Sequence, residues 1–356
     1  MINKLRIKNF RGIEETTLEC FSQLNVFFGK ANVGKTSMLE ALYLYLSDHP
    51  ESITDIIEFR GIVSDEDCFQ GFFYDYNLQE MIILNEDERE IKIHSYDNVF
   101  TNVIVDVSQQ KHQEQNDIEI MFNDMRIKGI HTMFLDYSNN DILEQIKISK
   151  KQVNPLQIQF ENKLKLKENR TQHNIYKKTE FICGDNQYHK NLRNNLKIIL
   201  SSVKQKKELY DMVQKFFPDI QEILIIENRI VVQKKSLDGM INSKLMGAGF
   251  QKIIAIILSV LTGKKYILID EIENGLHFEH IDLLFESILA FKEVQFFITT
   301  HNKEILKRLS RLLSQKDKEI LCGFNIYEDD CQKIKVGFYS QEDFISNMKN
   351  NNEIRD

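Results

Sequence analysis

The sequence has few cysteines and no long apolar run. Its five cysteines are scattered, without the paired spacing of a zinc site or a disulfide framework. An apolar run at residues 253–261 is too short for a transmembrane helix, which takes about 20 residues. Met1 is followed at once by charged residues and a strand pattern, so no targeting segment is evident. We therefore expect a cytoplasmic protein with reduced thiols and no membrane contact.

An excess of positive charge is lacking too. The chain has 46 basic and 53 acidic residues, a net charge of −7, which argues against a general binder of polyanions. Basic residues nevertheless concentrate in the middle, as a solvated face, which we favour, or as a docking surface for DNA, RNA or an acidic protein. They are Lys147, Lys150, Lys151, Lys163, Lys165, Lys167, Arg170, Lys177, Lys178, Lys204, Lys206 and Lys207. Long coiled-coil heptads are absent, which excludes a DNA-spanning arm.

Among the features that are present, the most informative is a phosphate-binding loop at residues 29–36. An apolar strand pattern at 24–28 precedes it, and apolar residues at helical spacing follow from 38 to 46. Between a strand and a helix N-terminus, backbone N–H groups converge on a phosphate. In such loops the position of Lys35 reaches the β- and γ-phosphates, and that of Thr36 binds Mg²⁺. We expect nucleotide contacts from Gly29, Lys30, Ala31, Asn32, Val33, Gly34, Lys35, Thr36 and Ser37.

A second apolar strand pattern, at residues 266–269, ends in Asp270 and Glu271. In a nucleotide-binding sheet this position carries the aspartate that holds magnesium and the group that activates water. We therefore predict that Asp270 binds Mg²⁺ together with Thr36, and that Glu271 is the general base. A solvated acidic turn is the alternative, and the complete phosphate loop argues against it.

Two further segments predict contacts to the nucleotide. A strand pattern at residues 296–300 leads to His301, whose imidazole would contact the γ-phosphate or the attacking water at the same sheet edge. An ordinary surface histidine is the alternative. Gly247, Ala248 and Gly249 open an apolar helix, where their amides either bind an anion or form only a tight turn. We predict catalytic roles for Lys35, Glu271 and His301.

In this order the elements resemble the ABC-type ATPase heads of the SMC, RecF and OLD group, and above all the stand-alone AAA15 family of ATP/GTP phosphatases. The resemblance rests on the opening strand at residues 5–12, on DEIENGLH at 270–277, on TTHN at 299–302 and on NEIR at 352–355. It implies that residues 246–249 form a signature loop, with Met246 in place of a serine. It also implies that Arg11 contacts the nucleotide.

We predict an α/β fold, an ABC-type P-loop ATPase head with a mixed β-sheet and flanking helices, plus an inserted α+β lobe. Residues 1–60 would form the N-terminal half of the head, 61–187 the inserted lobe, and 188–356 the C-terminal half. The last part would begin with a long helix or helical pair that stops at Pro218, followed by a β-hairpin.

The resemblance implies an enzyme that binds ATP and Mg²⁺ and hydrolyses ATP in a homodimer with the nucleotides sandwiched between the subunits. It also implies a separate effector chain, a nuclease or a toxin, and a role in bacterial anti-phage defence. Two alternatives stay open. A DNA-repair ATPase like RecF or SMC would need a basic channel along the dimer cleft, and DNA binding is not favoured. A non-hydrolysing, nucleotide-dependent scaffold is the other, and the intact Glu271 and His301 argue against it.

Overall fold

The structure is a computed structural model that describes residues 1–47, 51–62, 69–87, 89–95, 132–139, 142–149, 161–162, 178–183, 189–316 and 318–350. In this part of the chain the strands are β1 (Leu5–Phe10), β2 (Ile13–Leu18), β3 (Leu24–Phe28), β4 (Ile82–Glu86), β5 (Arg89–Ser95), β6 (Thr132–Asn139), β7 (Ile142–Ser149), β8 (Glu161–Asn162), β9 (Thr179–Ile182), β10 (Ile220–Ile226), β11 (Arg229–Lys234), β12 (Met240–Asn242), β13 (Tyr266–Ile269), β14 (Gln295–Thr300), β15 (Leu321–Glu328) and β16 (Ile334–Tyr339). The helices are α1 (Lys35–Ser47), α2 (Glu51–Arg60), α3 (His189–Leu200), α4 (Val203–Phe216), α5 (Ala248–Leu261), α6 (Phe278–Ala290), α7 (Lys303–Leu313) and α8 (Gln341–Lys349).

A six-stranded mixed sheet, in the order β16-β15-β3-β14-β13-β9, forms the centre of the head. Its strands run parallel except β16, which pairs antiparallel with β15 at one edge. Strands β3, β9 and β14 are buried along their whole length, as expected for parallel strands that are covered on both faces. Because the carboxyl ends of parallel strands share one edge, the loops after β3, β13 and β14 meet there.

The six-stranded sheet separates two apolar cores. Side chains alternate between the faces of a strand, so Val26 and Phe28 of β3 pack into one core and Phe27 into the other. The first core is completed by helices α3 to α8. The second is completed by α1, α2 and the N-terminal strands. This layering confirms the predicted α/β class with a mixed sheet and flanking helices.

A seven-stranded antiparallel sheet, in the order β2-β1-β4-β5-β6-β7-β8, lies on the side of the second core. Strand β4 pairs directly with β1, so residues 82–95 extend the sheet of the N-terminal half, although they fall in the range predicted as an inserted lobe. Strand β9, also in that range, pairs with β13 in the central sheet. Alternating patterns predict strands but not their partners, which is why the sequence did not show these pairings. The predicted boundaries at 60 and 187 stay a proposal.

The C-terminal half contains the expected helical pair and hairpin. Helices α3 and α4 are separated at Ser202, whose side chain accepts a hydrogen bond from the Gln205 N–H and so caps α4. Strands β10 and β11 are joined by Glu227 and Asn228, both at positive φ, as a tight two-residue hairpin requires. In the described residues, no helix has the length and hydrophobicity to cross a membrane.

Candidate active site

The phosphate loop, residues 29–34, joins β3 to α1 at the carboxyl edge of the central sheet. Gly29 and Gly34 have φ angles of 145° and 92°, which side chains rarely allow. A Cβ at Gly29 would lie 2.1 Å from the carbonyl oxygen of Ile326, and one at Gly34 would lie 2.6 Å from Cδ1 of Ile334. The β15–β16 hairpin therefore packs directly on the loop. The sequence patterns did not predict this contact.

Lys35 is the first residue of α1, and its side chain is buried. Its Nζ donates hydrogen bonds to the carbonyl oxygens of Gly29, at 3.2 Å, and Lys30, at 2.5 Å. The ammonium group therefore lies inside the curve of the loop, where a phosphate bound by the loop would meet it.

The hydroxyl of Thr36 meets the carboxylate of Asp270, as the prediction of a shared metal site requires. Thr36 Oγ1 lies 2.9 Å from Asp270 Oδ2 and 3.2 Å from Oδ1. The carboxylate also accepts a hydrogen bond from Thr299 Oγ1 of β14, at 2.5 Å. The two predicted ligands thus converge from α1 and the end of β13. Both supply oxygen atoms, the ligands that Mg²⁺ prefers, so these residues fit the ion.

Glu271 and His301 lie at the same edge, and both side chains are about half exposed (48% and 51%). His301 Nδ1 is 3.7 Å from Glu271 Oε1 and 3.2 Å from Glu273 Oε1. Glu273 Oε1 also accepts hydrogen bonds from Thr300 Oγ1 and from the backbone N–H of His301. Glu273 therefore orients the histidine. The sequence patterns gave no role to this residue, although it lies two positions after Glu271.

The structure distinguishes the two glycines of the predicted signature loop. Gly247 is the N-cap of α5 and is exposed, and among the described residues no atom lies within 4 Å of the position of its Cβ. Gly249 is buried, and a Cβ there would lie 2.2 Å from the carbonyl oxygen of Gly275. Gly249 is therefore required by a contact inside the chain, and Gly247 is not. Next to them Ala248 is exposed, as is Leu245, with 80% of its surface accessible.

One known protein family matches most of this chain. Residues 24–307 match the family described as "AAA domain, putative AbiEii toxin, Type IV TA system". The chain belongs to this family. Membership in the AAA family confirms the resemblance to ABC-type ATPases and the predicted enzyme class, a P-loop nucleoside triphosphatase.

Three known proteins that are similar to this AAA-family chain differ in their sequence identity and in how much of the chain they cover. An ATP/GTP phosphatase of Helicobacter pylori is 24% identical over an alignment that covers 98% of this chain and 99% of the relative. A RecF DNA replication and repair protein of Staphylococcus epidermidis is 32% identical over 63 residues, 17% of each chain. An Smc head domain derived from Pyrococcus furiosus, bound to the C-terminal domain of ScpA, has a TM-score of 0.51 at 10% identity and covers 100% of this chain and 99% of its own. This last likeness supports the fold alone.

Lys252 is a second residue that the sequence patterns did not indicate. It lies on α5, is 3% exposed, and donates a 2.6 Å hydrogen bond from Nζ to the carbonyl oxygen of Glu271. Burial lowers the pKa of Lys252 from 10.5 to about 8. The carboxylates of Glu273, Asp270 and Glu271, in this order of strength, oppose the shift. An isolated lysine within an apolar helix is the signal that would have identified it.

Arg11, which the resemblance placed at the nucleotide, is engaged with Glu40 of α1. Its Nε lies 2.5 Å from Glu40 Oε2, and its Nη1 donates to the carbonyl oxygen of Gly71. Burial lowers the pKa of Arg11, and Glu40 opposes that shift. Arg11 also lines a cleft of about 480 Å³ beside the phosphate loop, together with Asn32, Gly34 and Ser37. A nucleotide contact by Arg11 stays a prediction.

Most of the predicted basic surface lies outside the described residues or on side chains that the structure does not describe, as does the terminal segment 352–355. Of the described members, Lys204 is exposed and lies 4.0 Å from Glu208, one helical turn away. Lys206 lies over the ring of Tyr210. These contacts within α4 are those of a solvated helix face.

Proposed function

We propose that this AAA-family chain binds ATP with Mg²⁺ and hydrolyses it at the site formed by the phosphate loop, the acidic turn after β13 and His301. The observation that supports this best is the contact of Thr36 Oγ1 with Asp270 Oδ2 at 2.9 Å. It joins two segments that are 234 residues apart in the sequence at the edge where Lys35, Glu271 and His301 also lie. The name of the Helicobacter pylori relative, ATP/GTP phosphatase, supports the same reaction.

Each residue then has a definite task. Lys35 binds the β- and γ-phosphates. Thr36 and Asp270 would hold Mg²⁺, which would neutralise negative charge on the phosphates. The carboxylate of Glu271 accepts a proton from the attacking water. His301, oriented by Glu273 at 3.2 Å, contacts the γ-phosphate or that water.

The test of this reaction is the Glu271→Gln variant. The amide keeps the size of the side chain and leaves Lys35, Thr36 and Asp270 unchanged, so ATP should bind with unchanged affinity while turnover falls by about 10²–10⁴-fold. Lys35→Ala should lose binding itself. Glu286→Gln, on an exposed position of α6, is the matched control and should behave like the unchanged chain. Full turnover by Glu271→Gln would contradict the assignment.

The second part of the proposal is a homodimer in which two ATP molecules lie between the subunits. The chain has one phosphate loop and one signature loop, so a signature loop that caps a nucleotide on another copy needs a second chain. The exposure of Gly247, Ala248 and Leu245 supports a surface that is available to that copy. The backbone amide at Gly247 would then donate to the γ-phosphate held by the partner copy.

Mixing two inactive variants tests the shared site. Gly247→Asp places a carboxylate against the phosphate of the other copy, so it should bind ATP but neither dimerise nor turn over. Lys35→Ala damages the phosphate loop instead. A mixed dimer has one site with both loops intact, so mixing should restore part of the turnover. A monomer whose specific rate does not change with protein concentration would contradict the dimer.

The third part of the proposal is that ATP turnover controls a separate effector chain, a nuclease or a toxin, in anti-phage defence. The family description, which names a type IV toxin–antitoxin system, supports this role. Purification from the native operon, with and without Glu271→Gln, tests it. We expect a nuclease or toxin to be enriched with the hydrolysis-deficient variant. Enrichment of replication or repair proteins would instead favour a DNA-repair function like that of RecF.

A further inference from the structure

The burial of Lys252 destabilises the folded chain. It lies on the buried part of α5, where Phe250 is 6% and Ile253 is 0% exposed, and is itself 3% exposed. Transfer of an ammonium group from water to such surroundings destabilises the folded chain unless the charge is compensated. The fall of its pKa to about 8 shows that the neighbouring carboxylates do not compensate it fully.

The atom that Lys252 contacts belongs to the backbone of the proposed general base. Glu271 has a φ of 45°, in the left-handed region that costs free energy for residues other than glycine. Its N–H donates to Thr299 Oγ1 at 2.7 Å, and its carbonyl oxygen accepts from Lys252 Nζ at 2.6 Å. The carbonyl also accepts from the N–H of Asn274. The peptide groups on both sides of the Glu271 Cα are therefore held, which fixes the direction of its Cα–Cβ bond.

A second contact joins the same two segments. The start of α5 packs on the turn after the acidic strand so closely that Gly249 and Gly275 have room for backbone only. The signature loop and the acidic turn are thus connected at Gly249 by packing and at Lys252, one helical turn later, by a hydrogen bond. A displacement of the first turn of α5 would move the Glu271 carbonyl with it.

We propose that Lys252 is a positioning residue that transmits the position of the signature helix α5 to Glu271 of the same chain. The role rests on the proposed function, in which residues 246–249 contact a nucleotide on a second copy and Glu271 activates water. Contact at the signature loop would then set the Glu271 carboxylate in line with the water, and loss of the contact would release it.

The test compares Lys252→Met and Lys252→Arg in the full chain. Methionine fills much of the same volume without a donor, so kcat should fall by roughly 10- to 100-fold, the cost of about 1 Å of misplacement at a reacting group. The affinity for ATP should not change, because Lys35 and Thr36 are untouched. The unfolding temperature of Lys252→Met should not fall, since a buried charge is removed. Arginine keeps a donor and should recover most of the lost turnover.

A double variant separates positioning from a structural role. If Lys252 acts through Glu271, Lys252→Met in a Glu271→Gln background should change the residual single-turnover rate by less than about twofold. Lys264→Met is the matched control, because Lys264 is also buried but lies 3.4 Å from Glu180. It should destabilise the chain and leave kcat of the folded protein unchanged.

Three results would overturn the role of Lys252: unchanged kcat in Lys252→Met, an equally slow Lys252→Arg, or a full additional loss in the Glu271→Gln background. Failure of the proposed reaction is a separate result, because it would appear as normal turnover in Glu271→Gln with Lys252 intact.

Discussion

A methyl group added at Gly249 should destabilise the chain, whereas the same group added at Gly247 should not. At Gly249 the new Cβ would lie 2.2 Å from the carbonyl oxygen of Gly275 and 3.0 Å from Cδ2 of Leu276. The first of these atoms belongs to the backbone, which cannot rotate away as a side chain can. Overpacking of this kind costs about 1–3 kcal/mol.

At Gly247 two small effects oppose each other. Its φ of −57° and ψ of 158° are open to any residue, so alanine removes freedom of the unfolded chain and stabilises by about 0.4–1 kcal/mol. Alanine is also a poorer N-cap than glycine, which costs up to about 1 kcal/mol. The free energy of unfolding of Gly247→Ala should therefore stay within about 1 kcal/mol of the unchanged chain.

The Tm values of Gly249→Ala and Gly247→Ala can be measured by thermal unfolding without nucleotide, monitored by circular dichroism. The entropy of unfolding is about 2.1 cal/mol/K per residue, so in a chain of 356 residues a cost of 1 kcal/mol lowers Tm by about 1.3 °C. Gly249→Ala should therefore lower Tm by about 1–4 °C, and Gly247→Ala should change it little. Equal Tm values for the two variants would refute the reasoning, because they would mean that α5 and the Gly275 turn are not in close contact. The added methyl group would displace the turn at Gly275, which follows Glu271, so turnover should also fall in Gly249→Ala.

Two further predictions concern buried charges. Glu40 is 1% exposed and pairs with Arg11 and Arg60 at 2.5 and 2.6 Å, so Glu40→Gln should cost about 3–5 kcal/mol in urea unfolding, against about 0–1 kcal/mol for Glu15→Gln in the exposed Arg6 pair. Lys252 is protonated in both the folded and the unfolded chain below pH 8, and the full penalty of burial is then present. Between about pH 8 and 10.5 the unfolded chain binds more protons, so stability should rise with pH, by up to roughly 3 kcal/mol. In nucleotide-free protein the free energy of unfolding of the unchanged chain should therefore approach that of Lys252→Met as the pH rises from 8 to 10.5. A difference in free energy that stays constant over this pH range would contradict the lowered pKa.

The elements that the sequence predicts well are continuous in the chain. The phosphate loop, the acidic strand end and His301 each consist of a buried strand pattern followed at once by polar residues. Parallel strands bring such ends to one edge, so the meeting of Thr36 with Asp270 could be expected from the order of the patterns alone.

The residues that were missed act through partners that periodicity does not reveal. Ile326 and Ile334 follow the phosphate loop by about 300 residues, and only the pairing of β15 with β3 brings their hairpin onto it. Arg11 was placed by resemblance, whereas its burial depends on Glu40, a buried carboxylate on α1. A lone buried charge predicts a partner without naming it, so the structure is needed to identify the contact.

The backbone of Glu271 is held from two sides that belong to different parts of the site. Thr299, which holds its N–H, also donates to Asp270, so this side is tied to the proposed metal ligand and the central sheet. Lys252, which holds its carbonyl oxygen, belongs to the helix that begins at the exposed Gly247. The first connection is complete within one chain without a nucleotide. The second leads to Gly247, where no atom of the described residues lies within 4 Å of the position of a Cβ. In the proposed dimer, contact at Gly247 would therefore act on the base through α5, while Thr36 and Asp270 need no rearrangement to meet.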